Sequence, residues 1–345
     1  MLLKSLPEDF MVEELPAFQL LESGPYAIYR LWKCNFNTED AIQLVCKRFN
    51  IRRSDVKFAG TKDRNAITTQ YISIHRNNRK LVLDEENIKL GYCGFANEPI
   101  SLGCLAGNTF ELIIRDIAPE ERIIFEQNMH ALSDTDAFYL PNYFDEQRFS
   151  TNNVAIGLCI LKNDFKGAIE HIKNSAQKEG YYEKEAVEHL ARLPTDYIGA
   201  LKKIPPKILL MYIHAVQSKI YNELLRQSII ELDEHARDIL YSQGIFAFSQ
   251  DYLVYTRLCD HSLPLLGFST PSTPALKKQI DALSITPRNF IIRAIPELSC
   301  EGTERNAMMH VINFTSEKID DTTLKLSFTL LKGCYATMVV KGLFN

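Results

Sequence analysis

The sequence predicts an α+β protein, because β-like segments at both ends of the chain enclose a helical middle. The 345 residues are 46% hydrophobic and 24% charged, which is a globular composition. This length suits one large domain or two domains of ordinary size. The order of the segments therefore indicates a split domain that receives an insertion in its middle.

The first 140 residues show the mixed character most clearly. TEDAIQLVCKRFN predicts an amphipathic helix that is N-capped by Thr38, because its apolar residues recur at helical spacing. DVKFA predicts a short strand, and AITTQYISI predicts a longer one from its alternating β-branched and aromatic residues. GNTFELIIRDI predicts a further strand that follows a turn at Gly107 and Asn108.

The middle of the chain changes to helical patterns. VAIGLCILKNDFKGAIEHIKNSA, EKEAVEHLARL and PPKILLMYIHAVQSKIYNELLRQSIIEL each predict helix, and the prolines at 205 and 206 suit the start of the last one. The end of the chain is β-like again, in NAMMHVINFTSEKID and LKLSFTLLKGCYATMVVKGL.

Composition excludes several functional classes. The eight cysteines contain no CxxC pair and the eight histidines no HxH or HxxxH pair, so we expect neither a disulfide framework nor a metal site. No apolar run has the length of a membrane span, and the first residues lack the apolar core of a signal peptide. These features predict a cytoplasmic protein.

The charge is unevenly distributed. The formal net charge is −4, yet ten lysines and arginines stand against two aspartates between Lys47 and Lys80. Such a segment can form a phosphate-binding face, and it equally fits a solvated helix followed by strands with outward cations.

Asp63 lies in FAGTKDRNAITTQYISI, in a glycine loop between two predicted strands. Such a carboxylate can bond its own backbone and hold the turn. It can also be a nucleophile or base that rigid strands display, since an ionised carboxylate can attack the anomeric carbon of a sugar. Lys62 and Arg64 would lower the pKa of this carboxyl and attract a phosphodiester substrate. Local chemistry leaves both interpretations open.

Four stretches resemble motifs of the TruD family of pseudouridine synthases. They are AGTKDRNAITTQ, GCLAGNTFELIIR, LPNYFDEQRF and LLKSLPEDFMVEE, the last with Lys4, Asp9, Phe10, Val12 and Glu14 in place. Weaker matches are AVQSKIYN, EGTER and GCYATMVVKGL. The matches follow the family's order from Lys4 to Leu343, so the resemblance covers nearly the whole chain.

The resemblance implies an isomerase that converts uridine to pseudouridine in RNA, with uridine 13 of tRNA as the target in bacterial relatives. The glycosidic bond is cleaved, the uracil rotates, and C5 joins the sugar, without a cofactor or a metal. Asp63 matches the catalytic aspartate, which would attack C1′ or take the 2′ proton to give a glycal. Lys4 matches a basic residue that pairs with this aspartate and would hold it ionised and aimed.

The resemblance also implies substrate contacts for Phe10, Asn142, Phe144 and Tyr335. An aromatic ring can stack on a base, and the Asn142 amide can hydrogen-bond a uracil edge or the ribose. Tyr335 falls where relatives carry a phenylalanine against the target base. For each of the three aromatic residues taken alone, core packing in a strand is the better explanation.

The candidates for phosphate contacts in the tRNA are Arg52, Arg53, Lys62, Arg64 and Arg148. Arg148 could equally brace its loop through a carboxylate such as Glu14. The family motif around Asn142 has glycines where this chain has Asp145 and Ser150. At a positive φ, aspartate is tolerated better than most residues and serine is tolerated less well.

With the resemblance, we expect a catalytic pseudouridine synthase domain from residues 1–150 and 305–345, with a mixed and mainly antiparallel sheet, and a TruD-type insertion domain from residues 151–304. We expect a monomer that acts on tRNA without an obligatory protein partner and without a membrane. A catalytically silent RNA-binding or RNA-folding protein on the same scaffold is the alternative. A carboxylate-dependent glycosidase or nucleosidase ranks behind both, because such enzymes use two carboxylates and Asp63 is surrounded by cations.

Overall fold

The computed structural model describes residues 1–77, 79–132, 137–150, 152–175 and 181–345. The chain forms two compact units: Met1–Phe138 with His310–Phe344, and Tyr139–Met309 with Asn345. The first segment of this first unit ends 12 residues before the predicted domain boundary at residue 150. Its second segment begins 5 residues after the predicted start at residue 305. The division into a catalytic and an insertion domain stays a prediction.

The first unit is built around a large sheet. Its strands are β1 (Leu2–Leu3), β2 (Phe10–Pro16), β3 (Tyr26–Cys34), β4 (Val56–Phe58), β5 (Ile67–His75), β6 (Leu83–Glu85), β7 (Ile88–Ala96) and β8 (Leu105–Arg115). The chain leaves through β9 (Ala137–Pro141), returns in β14 (Met308–Lys318) and continues to β15 (Leu324–Leu331). The strand order runs β6-β7-β3-β5-β2-β8-β15-β14. Only the β2–β5 pair in this path is parallel, so the predicted mixed and mainly antiparallel sheet is confirmed.

One face of this sheet packs against helix α1 (Thr38–Phe49). Ala41, Ile42 and Val45 of the helix are fully buried in a core with Leu31 and Ile72 of the central strands. The apolar spacing therefore predicted this helix correctly. Its N-cap is Asn37 rather than Thr38, and the Thr38 hydroxyl has another task, described below.

Two other expectations for this unit were wrong. Gly107 and Asn108 lie inside β8 rather than in a turn. A Cβ atom at Gly107 would come 2.2 Å from the carbonyl oxygen of Leu330, so the glycine permits close strand contact. The segment after β15 is helix α10 (Ala336–Phe344) rather than strand; it packs on α2 (Pro119–Ala131), where the rings of Phe125 and Phe344 stack at 4.8 Å.

The second unit is largely helical, as the middle of the sequence predicted. Its helices are α3 (Asn153–Leu161), α4 (Phe165–Ser175), α5 (Tyr181–Arg192), α6 (Tyr197–Leu201), α7 (Pro206–Leu232), α8 (Tyr252–Leu258) and α9 (Pro274–Ala282). Two antiparallel two-stranded ladders complete it, from β10 (Arg237–Tyr241) with β11 (Gly244–Phe248) and from β12 (Ser262–Leu265) with β13 (Thr303–Asn306).

Helix α7 forms the centre of the second unit. Pro206 occupies its first turn, where a missing backbone N–H costs nothing. Helix α3 crosses it so closely that a Cβ atom on Gly157 would lie 2.2 Å from the carbonyl oxygen of Tyr212. Within the described residues, no helix is long and apolar enough to cross a membrane.

Candidate functional site

Asp63 lies in the loop between β4 and β5, beside the start of the chain. The Lys4 ammonium group contacts its carboxylate, with Nζ 2.5 Å from Oδ2. Both side chains are partly exposed, at 24% for Lys4 and 31% for Asp63, so the pair remains open to a ligand. The structure therefore brings together the two residues that the sequence predicted as catalytic, although 59 positions separate them.

Lys4 is held in an unusual backbone conformation. Its φ of +63° lies in the left-handed region, which a residue other than glycine rarely adopts. The Asn65 amide, two positions after Asp63, donates to the Lys4 carbonyl oxygen at 3.2 Å. The Lys4 ammonium also lies 3.8 Å from the centre of the buried Phe10 ring. Phe10 thus supports the lysine from the protein side.

The backbone of the Asp63 loop is fastened by three side chains from the surrounding elements. The Thr38 hydroxyl at the start of α1 accepts from the Lys62 N–H at 2.9 Å. The Gln70 amide of β5 donates to the Gly60 carbonyl at 3.1 Å. The Lys33 ammonium of β3 donates to the Asp63 carbonyl at 2.7 Å. The loop backbone is therefore held at Gly60, at Lys62 and at Asp63 itself.

Lys33 was missed by the sequence reasoning. Its side chain is fully buried, and burial lowers its pKa to about 8, while the neighbouring Asp63 opposes part of that shift. The signal for it was present: in YAIYRLWKC, Tyr29, Leu31 and Lys33 alternate onto one face of a strand. A lysine in register with core residues is a candidate functional group.

Lys62 and Glu14 form an ion pair inside the first unit. Lys62 Nζ lies 2.8 Å from Glu14 Oε1, with 12% and 2% of the two side chains exposed. The other Glu14 oxygen accepts from the Tyr71 N–H at 2.9 Å, and Lys62 also donates to the Asn108 side chain at 3.0 Å. Lys62 therefore has structural partners rather than the exposed head group expected of a phosphate contact. Glu14, considered as a brace for Arg148, has Lys62 as its partner.

The other proposed RNA contacts in the first unit differ in accessibility. The Arg52 side chain is 82% exposed, although its guanidinium approaches Asp55 at 3.0 Å. Arg53 makes a two-pronged pair with Glu39, at 2.6 and 2.8 Å. Arg64 is exposed beside Asp63. Arg52 and Arg64 are thus better placed than Arg53 to reach a phosphate.

In the second unit, Asn142 is buried with its amide orientation fixed. Its Oδ1 accepts from Arg305 Nη2 at 2.5 Å, and its Nδ2 donates to the Asn306 carbonyl at 3.0 Å. The Arg305 Nε also donates to the Asn142 carbonyl, at 3.2 Å. The EGTER match thus supplies the residue that positions Asn142.

Phe144 lies between two guanidinium groups. Arg305 approaches to 4.2 Å and Arg148 to 5.5 Å of the ring centre, and Tyr221 packs edge-on at 5.4 Å. These arginines line a cavity of about 400 Å³ together with His214 and other residues of the second unit. A cationic and aromatic cavity of this size can accept part of a nucleotide.

The two departures from family glycines have different outcomes. Asp145 has an ordinary φ of −84°, and its carboxylate caps the following 3₁₀ turn by accepting from the Glu146 N–H at 2.8 Å. Ser150 has a φ of +47°, so a non-glycine residue occupies a left-handed position there. Only the second substitution introduces backbone strain.

Tyr335 lies in the first unit, half-buried just before α10, where its carbonyl accepts from the Met338 N–H at 3.0 Å. Among the described residues, no group of three histidine, cysteine or acidic side chains is arranged to hold a metal ion.

Comparison with known proteins gives a match over the whole chain. The family model described as tRNA pseudouridine synthase D (TruD) matches residues 1–180 and 169–343. The chain is 28% identical to a probable tRNA pseudouridine synthase D 1 of Methanococcus maripaludis, over 98% of each chain. It is 27% identical to the tRNA pseudouridine synthase D of Aquifex aeolicus, over 99% of this chain and 97% of the relative.

A solved structure is also similar. The crystal structure of the putative tRNA pseudouridine synthase D from Methanosarcina mazei superimposes with a TM-score of 0.69 at 26% identity. The match covers 99% of this chain and 93% of that one.

Proposed function

The chain belongs to the TruD family of tRNA pseudouridine synthases, and from this membership we propose that it isomerises uridine 13 of tRNA with Asp63 as its nucleophile or base. The family makes the protein an isomerase of uridine in tRNA. The contact between Lys4 and Asp63 is the single observation that carries the proposed role of Asp63.

Asp63 starts the reaction in one of two ways. Its carboxylate attacks C1′ and the C1′–N1 bond to the uracil breaks, or it takes the proton on C2′ so that the uracil leaves and a glycal forms. The freed uracil anion then rotates and its C5 bonds to C1′. This step releases the Asp63 carboxylate from C1′ in the first route, and in the second route Asp63 returns the proton to C2′. Loss of the C5 proton and protonation of N1 complete the isomerisation, with no net change in atoms.

Lys4 compensates the charge of Asp63 and fixes the direction of its carboxylate. Its ammonium is confined between Oδ2 of Asp63 and the face of Phe10, which leaves it little freedom to move away. Phe10 in this proposal supports Lys4 and borders the space for the target base. Tyr335 supplies a second aromatic ring for that base.

Asn142 and Phe144 are proposed to contact the substrate from the second unit. The Asn142 amide is oriented by Arg305 and so presents a defined donor and acceptor pattern to a uracil edge or ribose. Arg148 beside Phe144, together with Arg52 and Arg64 of the first unit, is proposed to bind phosphates.

We also propose a domain division, a cellular location and an oligomeric state. Residues 1–150 and 305–345 form the catalytic domain, and residues 151–304 form the insertion that helps to hold the tRNA. The protein works in the cytoplasm as a monomer, without a cofactor or an obligatory partner. None of the eight cysteines, which all lie in the described ranges, forms a disulfide, and this suits a reducing compartment.

An activity assay tests the role of Asp63. Tritium release from tRNA containing [5-³H]uridine at position 13 measures the reaction, because C5 loses its hydrogen when it bonds to the sugar. We expect release with the native protein and with Asp84→Ala, whose exposed carboxylate pairs with Lys89 on the surface, 3.1 Å away. Asp63→Ala should be inactive while still binding tRNA on a filter.

The outcomes separate the alternatives. Full activity of Asp63→Ala would remove the aspartate from the mechanism. If the native protein binds tRNA but releases no tritium, both from uridine-13 tRNA and from labelled total tRNA, the catalytically silent RNA-binding protein is favoured instead.

A further inference from the structure

Lys33 is a charged side chain in the interior of the first unit. It lies on the same face of β3 as Tyr29 and Leu31, and none of its surface is exposed. Burial of an ammonium group is unfavourable, and an apolar side chain of similar volume would fill the space at lower cost. Packing therefore does not account for a lysine at this position.

The ammonium group reaches the backbone of the proposed catalytic residue. Its Nζ donates to the Asp63 carbonyl oxygen at 2.7 Å. The charged and titratable groups that influence the pKa of Lys33 are Asp63, Lys62 and Cys34. Glu8 influences the pKa of Cys34. Its partners on the adjacent strands, Thr68 of β5 and Ile88 of β7, carry no charge. Asp63 thus provides the attraction that favours the charged amine.

We propose that the Lys33 ammonium is a positioning residue for the isomerisation, which holds the Asp63 loop from the protein interior while Lys4 holds the carboxylate from the open side. The inference rests on the proposed role of Asp63. The neutral amine can still donate a hydrogen bond, but a weaker one, and it no longer offers positive charge to the carboxylate. The reaction rate should therefore depend on whether Lys33 is protonated.

This dependence falls in a measurable range of pH. Burial lowers the pKa of Lys33 to about 8, so the charged form predominates at pH 7 and the neutral form at pH 9. The charged fraction falls about tenfold between these two values. We expect the native single-turnover rate constant, measured with a saturating excess of enzyme over tRNA, to fall in the same interval toward a lower plateau.

Two variants distinguish charge from packing. Lys33→Met keeps the approximate volume without the charge, so it should react about tenfold more slowly at pH 7 and show no decline up to pH 9. Its KM for tRNA and its circular dichroism should stay as in the native protein. Lys33→Arg keeps its charge throughout this range and should therefore retain its pH 7 rate at pH 9.

Each result decides the matter. A flat profile for Lys33→Met at the low native plateau supports the inference, whether or not Lys33→Arg folds. A Lys33→Met profile that reproduces the native rate and its decline overturns it. Asp63→Ala is measured in the same series: if it is inactive while Lys33→Met behaves as native, only the Lys33 inference fails. If Asp63→Ala is fully active, the proposed function fails first.

Discussion

Replacing Lys33 with methionine should stabilise the protein at neutral pH and destabilise it at alkaline pH. Burial lowers the pKa of the lysine from 10.5 to about 8. The folded state therefore disfavours the charged amine by about 3 kcal/mol, since one pKa unit corresponds to about 1.4 kcal/mol. Methionine has a similar volume and avoids this cost, but it leaves the Asp63 carbonyl without its donor, at about 1 kcal/mol.

The sign follows from proton binding. Below pH 8 the amine is protonated in both the folded and the unfolded chain, so the native protein bears the full cost and Lys33→Met is more stable by about 2 kcal/mol. Between pH 8 and 10.5 the unfolded chain binds more protons than the folded one, and the native protein gains stability relative to the variant. Near the upper end of this range the native protein becomes the more stable by about 1 kcal/mol.

Urea unfolding at pH 7, 8.5 and 10 measures this difference. Trp32 is the single tryptophan of the chain and precedes Lys33 in β3, so its fluorescence reports on the first unit. Taking the difference between the two proteins cancels titrations that they share. The exposed Lys47→Met serves as the matched loss of a lysine. A difference between native and Lys33→Met that stays constant across the three pH values would refute the reasoning.

Three further outcomes are expected. Ser150→Gly removes a left-handed non-glycine residue and should raise the free energy of unfolding by about 0.5–1 kcal/mol in thermal or urea denaturation; a decrease would mean that the serine is not strained. Lys62→Met leaves the buried Glu14 carboxylate without its cation and should lower the free energy of unfolding, followed by Trp32 fluorescence, by about 3 kcal/mol. Adding Glu14→Gln should recover part of this loss. Equal losses in the single and double variants would show that the ion pair is unimportant. Arg52→Ala should reduce the slope of log Kd for tRNA against log salt by about 1, whereas Arg53→Ala, whose guanidinium is paired with Glu39, should leave it nearly unchanged; the reverse order would place the phosphate contact at Arg53.

Short-range patterns predicted those features that are encoded locally. Helix α1 follows from its apolar spacing, and β5 from its alternating β-branched residues, because both elements are amphipathic or β-prone on their own. The pairing of Lys4 with Asp63 came from motif resemblance. Nothing in the local sequence places a residue near the start of the chain against a loop 59 positions later.

Features that depend on neighbouring strands were missed. The Gly107 and Asn108 pair reads as a turn by composition, but the close approach of β15 explains the glycine. Tyr335 was expected in a β-like segment, whereas the residues after it form α10, whose apolar side chains are buried against α2. The hydroxyl of Thr38 looked like a cap and instead holds Lys62. In each case the partner comes from a distant part of the chain.

The ties on the Asp63 loop have a consequence for the order of folding. They come from Lys4, Lys33, Thr38 and Gln70, which belong to the chain start, β3, α1 and β5. A collapsed intermediate in which β3 and β5 have not yet paired has no local means of shaping this loop, since all four of its anchors lie outside it in sequence. Recovery of activity during refolding should thus coincide with completion of the central strands. The rate of that recovery would measure the pairing of β3 with β5, which spectroscopy reports only as an average over the whole chain.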